Sequence, residues 1–206
     1  MMRLLYFIGL STVYAERAPM TAALLASNLK QGIVIDVGAN GGLETELAVK
    51  FQRRVVAFEC LSTAYSSLVT MFAHTQKVKI YHACVGERLK LASLHLAHDS
   101  SSMLENNIKH GRELEKAKTY GTELMSENAI VVPLDHVIST PVALIKIDVQ
   151  GNEAAVLRGA QQIIKLYKPV ILYENEVAFE HAGNPLNSLA GYSCRRIGVD
   201  NLCVPE

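Results

Sequence analysis

The sequence predicts a single α/β domain built on a mostly parallel sheet, and three observations carry that expectation. Short apolar, β-branched runs recur at 33–37, 55–58, 142–147 and 170–173, as in strands buried on both faces. Segments of helical spacing separate them. The first run breaks into the turn Gly38-Ala39-Asn40-Gly41-Gly42, and helical spacing resumes over 43–51. Strand, glycine turn and helix form the opening of a nucleotide-binding βαβ unit.

At 206 residues, one domain spanning 1–206 is the natural expectation, with an N-terminal segment at 1–31 and a core at 32–205. Lys plus Arg equals Asp plus Glu, 20 against 20, which argues against a broad polyanion-binding surface, so no nucleic-acid partner is expected. Cys60, Cys84, Cys194 and Cys203 show neither C-x-x-C nor metal-site spacing. They read as reduced, mostly buried residues, although Cys194 and Cys203 can face each other on a terminal hairpin. Residues 1–15 hold one basic residue, Arg3, a short apolar run and a small-residue end at Ala15. The run is too short to span a membrane, so no stable insertion is expected.

Taken in order, the chain first offers a helix after Pro19, with Met20, Ala23, Leu24 and Leu29 on one side and Gly32 as its stop. It is expected to border the ligand pocket. The first strand ends in the polar pair Asp36 and Asn40. Gly38 can take φ > 0 and lets backbone approach a ligand. The second strand ends in Glu59, well placed to accept hydrogen bonds from a ribose diol. Glu44 and Glu46 occupy the first helical turn, where they suit the helix dipole and repel a pyrophosphate. No Lys-Ser or Lys-Thr follows the turn, so it is not a phosphate loop. A ligand with a ribose and no phosphate fits, and S-adenosylmethionine is one.

After Cys60, residues Tyr65, Leu68, Val69 and Phe72 mark a helix. Residues 78–85 read as the third strand, and 89–96 return beside it as an added hairpin. His82, His95 and His98 lack any spacing that demands a metal. Ser100, Ser101 and Ser102 close the hairpin region. Residues 105–127 are polar and mixed in charge, a candidate for a substrate-choosing lid. Asp135 is expected to cap a short helix beginning at His136. The next strand ends at Asp148, Gly151 allows a turn, and 154–166 read as one helix. Strand 170–173 ends at Glu174, and the tail reads as a helix and a terminal hairpin.

Two stretches carry a resemblance. Asp36-Val37-Gly38-Ala39-Asn40-x-Gly42, followed by Phe58-Glu59, resembles the FkbM family of S-adenosylmethionine-dependent methyltransferases. Ile145-Lys146-Ile147-Asp148-Val149-Gln150-Gly151-Asn152-Glu153, running into Val156-Leu157-Arg158-Gly159-Ala160, matches a second family segment. The likeness runs from about Gly32 to Pro205. It implies a Rossmann-like class I methyltransferase fold: a mostly parallel seven-stranded sheet, an antiparallel last strand and an added hairpin. It also implies S-adenosyl-L-methionine as cofactor and a hydroxyl on a small molecule or glycan as acceptor. Two positions depart from the family: Cys60 replaces a proline, and Gln150 replaces a glutamate. A cytoplasmic location is expected, since the cofactor is cytosolic; the alternative is entry into the secretory pathway through residues 1–15.

Asp36, Glu59, Asp148 and Glu174 all fall at carboxyl ends of predicted parallel strands, the edge where open α/β sheets bind ligands. The cofactor is expected at Asp36, Gly38, Asn40, Gly42, Glu59, Ser102 and Asp148. Catalytic candidates are Asp148, Glu174 and His181. Asp148 is expected to face the sulfonium and to take an acceptor proton, directly or through a divalent metal such as Mg²⁺, though no metal-ligand set is assigned. Two rivals stand beside this reading. A catalytically weak or inactive S-adenosylmethionine-binding protein is suggested by Gln150 and Cys60. A nicotinamide-dependent oxidoreductase is disfavoured by Glu44, Glu46 and the missing G-x-G-x-x-G spacing.

Overall fold

The computed structural model describes residues 18–97, 100–102, 126–174 and 184–206, with the side chains of 95–97 and 100–102 left aside. The signal-like start, His98, most of the polar insert and His181 lie outside the described residues. The elements are helix α1 (Ala18–Ala26), strand β1 (Ile33–Val37), α2 (Leu43–Lys50), β2 (Val55–Glu59), α3 (Ser62–Met71), β3 (Val78–His82) and β4 (Cys84–Val85). There follow β5 (Lys90–Ala97), β6 (Ser100–Ser102), β7 (Ser126–Val132), α4 (Leu134–Val137), β8 (Val142–Ile147), α5 (Glu153–Arg158), α6 (Gln161–Tyr167) and β9 (Val170–Glu174). A 3-10 turn (Pro185–Ser188) leads into β10 (Tyr192–Ile197) and β11 (Asp200–Pro205).

Seven strands form the main sheet in the order β10-β11-β9-β8-β1-β2-β3. β11 runs antiparallel to both its neighbours, and the β9-β8-β1-β2-β3 pairings are parallel. The expected sheet and its antiparallel last strand are therefore present. Helices cover both faces. On one, Ile35, Val37, Ile145 and Ile147 meet Val156 and Leu157 of α5 and Ile163 and Ile164 of α6. On the other, Val34, Leu144, Leu172 and Leu202 meet Met20, Ala23 and Leu24 of α1 and Leu47 and Ala48 of α2. The central strands are apolar on both sides because both sides are covered. Helix α1 thus serves as a face cover, lying against β8, β9 and β11. No helix among the described residues is long and apolar enough to cross a membrane.

Five local expectations are corrected. The run 78–85 is two strands: β3 stays in the main sheet, and β4 leaves it for a second sheet of order β4-β7-β5-β6. The added hairpin is β5–β6, and β5 pairs along its length with β7 rather than with β4. The expected helix over 154–166 is two helices, α5 and α6, divided at Gly159 and Ala160. Asp135 does not cap its own helix. Its carboxylate accepts the backbone N–H groups of Gln162 (2.9 Å) and Ile163 (3.0 Å), so it caps α6 from outside. All four cysteines are paired, Cys60 with Cys84 and Cys194 with Cys203, against the expectation of reduced thiols. Cys194 and Cys203 are direct cross-strand partners of β10 and β11.

Within this apolar sheet the described residues include a buried ion pair. β1 and β8 place Asp36 opposite Lys146, and their charged atoms are 3.8 Å apart. Asp36 is wholly buried, and Lys146 is 6% exposed. Asp36 Oδ2 accepts a hydrogen bond from Thr45 Oγ1 of α2 at 2.6 Å, and Oδ1 has no hydrogen-bond partner among the described residues. Such a pair gives little net stability, but removing one member strands the other charge.

Two predictions follow from this packing. Lys146→Met should destabilise the domain by about 3–5 kcal/mol in urea titration, and the double variant with Asp36→Leu should recover much of the loss. A single variant as stable as wild type would show that Asp36 is held neutral. Asp135→Ala should cost about 0.5–2 kcal/mol and speed amide exchange at Gln162 and Ile163. Unchanged exchange there would rule out the cap.

Candidate active site

The glycine turn is shaped by the protein before any ligand is considered. Gly38 has φ +78°, and a Cβ on it would lie 1.8 Å from the Asp148 carbonyl oxygen. The turns after β1 and β8 therefore touch backbone to backbone, which only glycine permits. The Asp148 N–H donates to the Val37 carbonyl at 3.0 Å, and the Gly38 and Ala39 N–H groups both reach the Phe58 carbonyl. Asn40 is left-handed at φ 42°, with its side chain exposed. Gly42, at φ 78°, precedes α2; the space of its missing Cβ is filled by Leu68 of α3 and by Phe72 just after it.

Glu59 joins two turns. Its Oε2 accepts the Asn40 N–H at 2.7 Å and its Oε1 the Leu61 N–H at 2.8 Å. A carboxylate offers about four acceptor positions, so two backbone bonds leave capacity for a diol. The second sheet braces the chain immediately beyond. Cys60 is bonded to Cys84 of β4, and the His82 Nε2 lies 3.0 Å from the Cys60 carbonyl. Glu127 of β7 accepts the N–H of Ser62 (3.1 Å to Oε1) and its hydroxyl as well, capping α3. Tyr65 stacks on the His82 ring at 4.7 Å.

The turn after β8 holds a second set of charges. Lys146 Nζ lies 3.3 Å from Asp148 Oδ2 and 3.5 Å from the Gly38 carbonyl. Gln150, left-handed at φ 55°, donates from Nε2 to Asp148 Oδ1 (3.1 Å) and to Glu174 Oε2 (3.2 Å). Glu153, 7% exposed, closes the loop from below: its Oε1 accepts the N–H groups of Val149 (3.2 Å) and Gly151 (3.1 Å). Burial pushes the Glu153 carboxyl up, and those N–H groups pull it back. Burial pulls the Lys146 ammonium down, but Asp36, Asp148 and Glu44 outweigh it and hold it above its ordinary range. Burial also pushes Asp148 up, yet Lys146, its contact with Glu174 and the Gln150 amide leave its carboxyl below the usual carboxylate range. Asp148 is thus a stable anion and a weak base. Burial raises the Asp36 carboxyl, with Lys146 and Thr45 opposing.

These distances place the expected residues as follows. Gly38, Asn40, Gly42 and Glu59 form one half of the rim, and Asp148 and Glu174 the other, joined through the Gly38–Asp148 contact. Asp36 lies beneath the rim rather than on it. Ser102 pairs with His95 in β6, at the edge of the second sheet. Lys146, Thr45, Glu153, Glu127 and Asp200 were not among the expected site residues. Lys146 and Glu153 stand inside the quoted motif, which was the available signal; Asp200 carried none. Among the described residues no group of three or more His, Cys, Asp or Glu side chains is arranged to hold a metal ion, so the structure gives the metal route no support.

This acidic donor set fits a cationic ligand with a diol better than an anionic dinucleotide. Glu44 and Glu46 sit in the first turn of α2, where a pyrophosphate would otherwise rest.

Comparison with known proteins agrees with the geometry. The family description "Methyltransferase FkbM domain" matches residues 36–189. Among solved structures, the FkbM methyltransferase of Methylobacillus flagellatus superposes with a TM-score of 0.54 at 17% identity, over 86% of this chain and 45% of that one. This chain therefore spans less than half the length of that relative. The putative methyltransferase yhhF of Escherichia coli superposes with a TM-score of 0.51 at 11% identity, over 92% of this chain and 86% of that one. At such identities the superpositions speak for the fold alone, a class I methyltransferase fold. No curated protein matches the chain in sequence. Two motifs meeting at one sheet edge, and a family match covering most of the chain, place it in the FkbM methyltransferase family.

Proposed function

We propose that this protein transfers a methyl group from S-adenosylmethionine to a hydroxyl of a small molecule or glycan. The observation that carries the reading is the joined rim: Glu59 on one side, Asp148 on the other, and acidic residues where a phosphate-binding turn would need donors. The bound cofactor supplies an electrophilic methyl on a cationic sulfur, so the protein's share is alignment and charge. Glu59 holds the ribose hydroxyls, and the turn 38–42 shapes the methionine side. Asp148, kept ionised by Lys146, faces the sulfonium. The Gln150 amide supports the transferase reading over the inactive binder, because it fixes two rim carboxylates rather than removing a base. The acceptor class rests on the family resemblance.

Glu59→Ala removes charge-assisted bonds worth roughly 1.5–3 kcal/mol each. Calorimetry should show S-adenosylmethionine binding weakened more than about tenfold, and unchanged affinity would take Glu59 out of the site. Asp148→Asn should weaken S-adenosylmethionine binding more than binding of the uncharged-sulfur product S-adenosylhomocysteine, and should slow turnover. Equal affinities for both ligands with full turnover would end the Asp148 assignment.

A further inference from the structure

Three carboxylates lie in a row across adjacent strands at the rim. The β8–β9 register pairs Ile147 with Tyr173, which sets Asp148 beside Glu174. The β9–β11 register pairs Glu174 with Asp200 directly. Alternation puts all three on one face of the sheet. Leu172 and Leu202, two residues inward from Glu174 and Asp200, pack in the same cluster as Leu144, two residues inward from Lys146.

The three acids differ in what holds them. Asp148 is held by Lys146, Gln150 and Glu174, and Glu174 by Gln150 and Asp148. Among the described residues, no hydrogen bond or ion pair engages the Asp200 carboxylate, which stands half-buried at the start of β11. Ligands of open α/β sheets bind at this edge, outside the carboxyl ends of the parallel strands. β11 runs the other way, so its first residue is the one that reaches the rim.

We propose that Asp200 takes the proton of the acceptor hydroxyl while Asp148 remains the fixed anion, an assignment that rests on the hydroxyl-methylation reading above. As the acceptor oxygen bonds to the methyl carbon, the carbon–sulfur bond breaks and its electron pair stays on sulfur. The hydroxyl proton passes to an Asp200 oxygen and then to water. The products are a methyl ether, S-adenosylhomocysteine and one released proton.

The electrostatics agree with this division. Burial pushes the Asp200 carboxyl up to about 6, with Lys146 opposing and Asp148 and Glu44 adding to the rise. Asp148 is displaced the other way. Neighbouring acids pushed apart in this manner mark a base and a permanent charge, and a base near neutrality combines ionisation with proton affinity. The groups around Asp200 are Glu174 on β9, Lys146 on β8, Asp148 just after it and Glu44 on α2. On β10, Ile197 is its partner, with Arg195 two residues along and Arg196 donating to the Gly198 carbonyl. Helix α1, which packs on β11, brings no titratable side chain.

Asp200→Asn tests the assignment with two readouts. The first needs no ligand. A carboxyl raised by folding stabilises the protein below its ordinary value near 4, and that contribution is lost as pH rises through about 6. The melting temperature of wild type should therefore fall relative to the variant over this window, and the gap should stay constant above it. Identical pH dependence in the two proteins overturns the proposal. The second readout uses methyl-labelled S-adenosylmethionine with a panel of alkyl glycosides and the matching amino sugars. Wild-type kcat/KM for the acceptor should rise with pH to a plateau with a midpoint near 6. The variant should lose about a hundredfold or more in kcat, together with that limb. Its KM for S-adenosylmethionine and its affinity for S-adenosylhomocysteine should be unchanged. A variant that keeps the wild-type rate and limb removes Asp200 and leaves hydroxyl methylation standing. Transfer by wild type to the amino sugars alone overturns both.

Discussion

One buried ammonium holds the two halves of the site together. Lys146 lies between Asp36 on β1 and Asp148 after β8, with the Gly38 carbonyl also within reach. From β1 the chain moves through β2 and β3 to one side, while β8 and β9 extend the sheet to the other. The β1–β8 seam is the topological switch point, where an open α/β sheet leaves a crevice. A charge at that depth is costly unless paired, so the seam tolerates Lys146 only with both carboxylates in place. Asp148 is in turn locked as an anion, and the turns after β1 and β8 are pinned in contact. The Gly38–Asp148 backbone approach completes the same seam. Charge pairing and steric closeness thus specify one arrangement.

Around this seam the rim is divided by the partners of its acids. Glu59 is satisfied by backbone N–H groups from two turns and is braced from the second sheet through Cys60–Cys84 and Glu127. Its position depends on the β4–β7 region as much as on β2. The other side depends on β11, the strand that reverses direction. In a wholly parallel sheet, that position would present the carboxyl end of a strand. Here it presents an amino end, Asp200, directly opposite Glu174. The antiparallel strand therefore delivers an additional acid to an edge already holding two.

The sheet was legible in the sequence because its strands are buried on both faces, which leaves mostly apolar runs at 33–37, 142–147 and 170–173, interrupted only by Asp36 and Lys146. The glycine turn and Glu59 were legible for the same local reason: they sit where those runs stop. What escaped was non-local. β5 pairs with β7 across the intervening positions 98–125, which no periodicity reveals, whereas the expected hairpin joins it to the nearer β4. Cys60 and Cys84 are 24 residues apart and follow no motif. Asp135 stood where an ordinary N-cap was expected, and only the folded chain brings α6 to it. Lys146 stands in a motif, but an apolar run does not disclose what one lysine within it faces. Asp200 lay in a polar tail with no pattern to distinguish it.

Gln150 shows how composition at one position follows from charge in its surroundings. Asp148 and Glu174 are adjacent, and Asp200 is next in the row. A further carboxylate on this loop would face two acids and one ammonium, and like charges so close raise each other's pKa. The amide supplies two N–H donors instead, and both are used, one on each neighbouring acid. Its left-handed backbone and the N–H bonds to Glu153 hold the loop that delivers it. Neutrality at this position keeps Asp148 a strong anion without drawing a second proton into the cluster. The departure from the family's glutamate leaves the rim its fixed charge and leaves the task of moving protons to an acid that Gln150 does not touch.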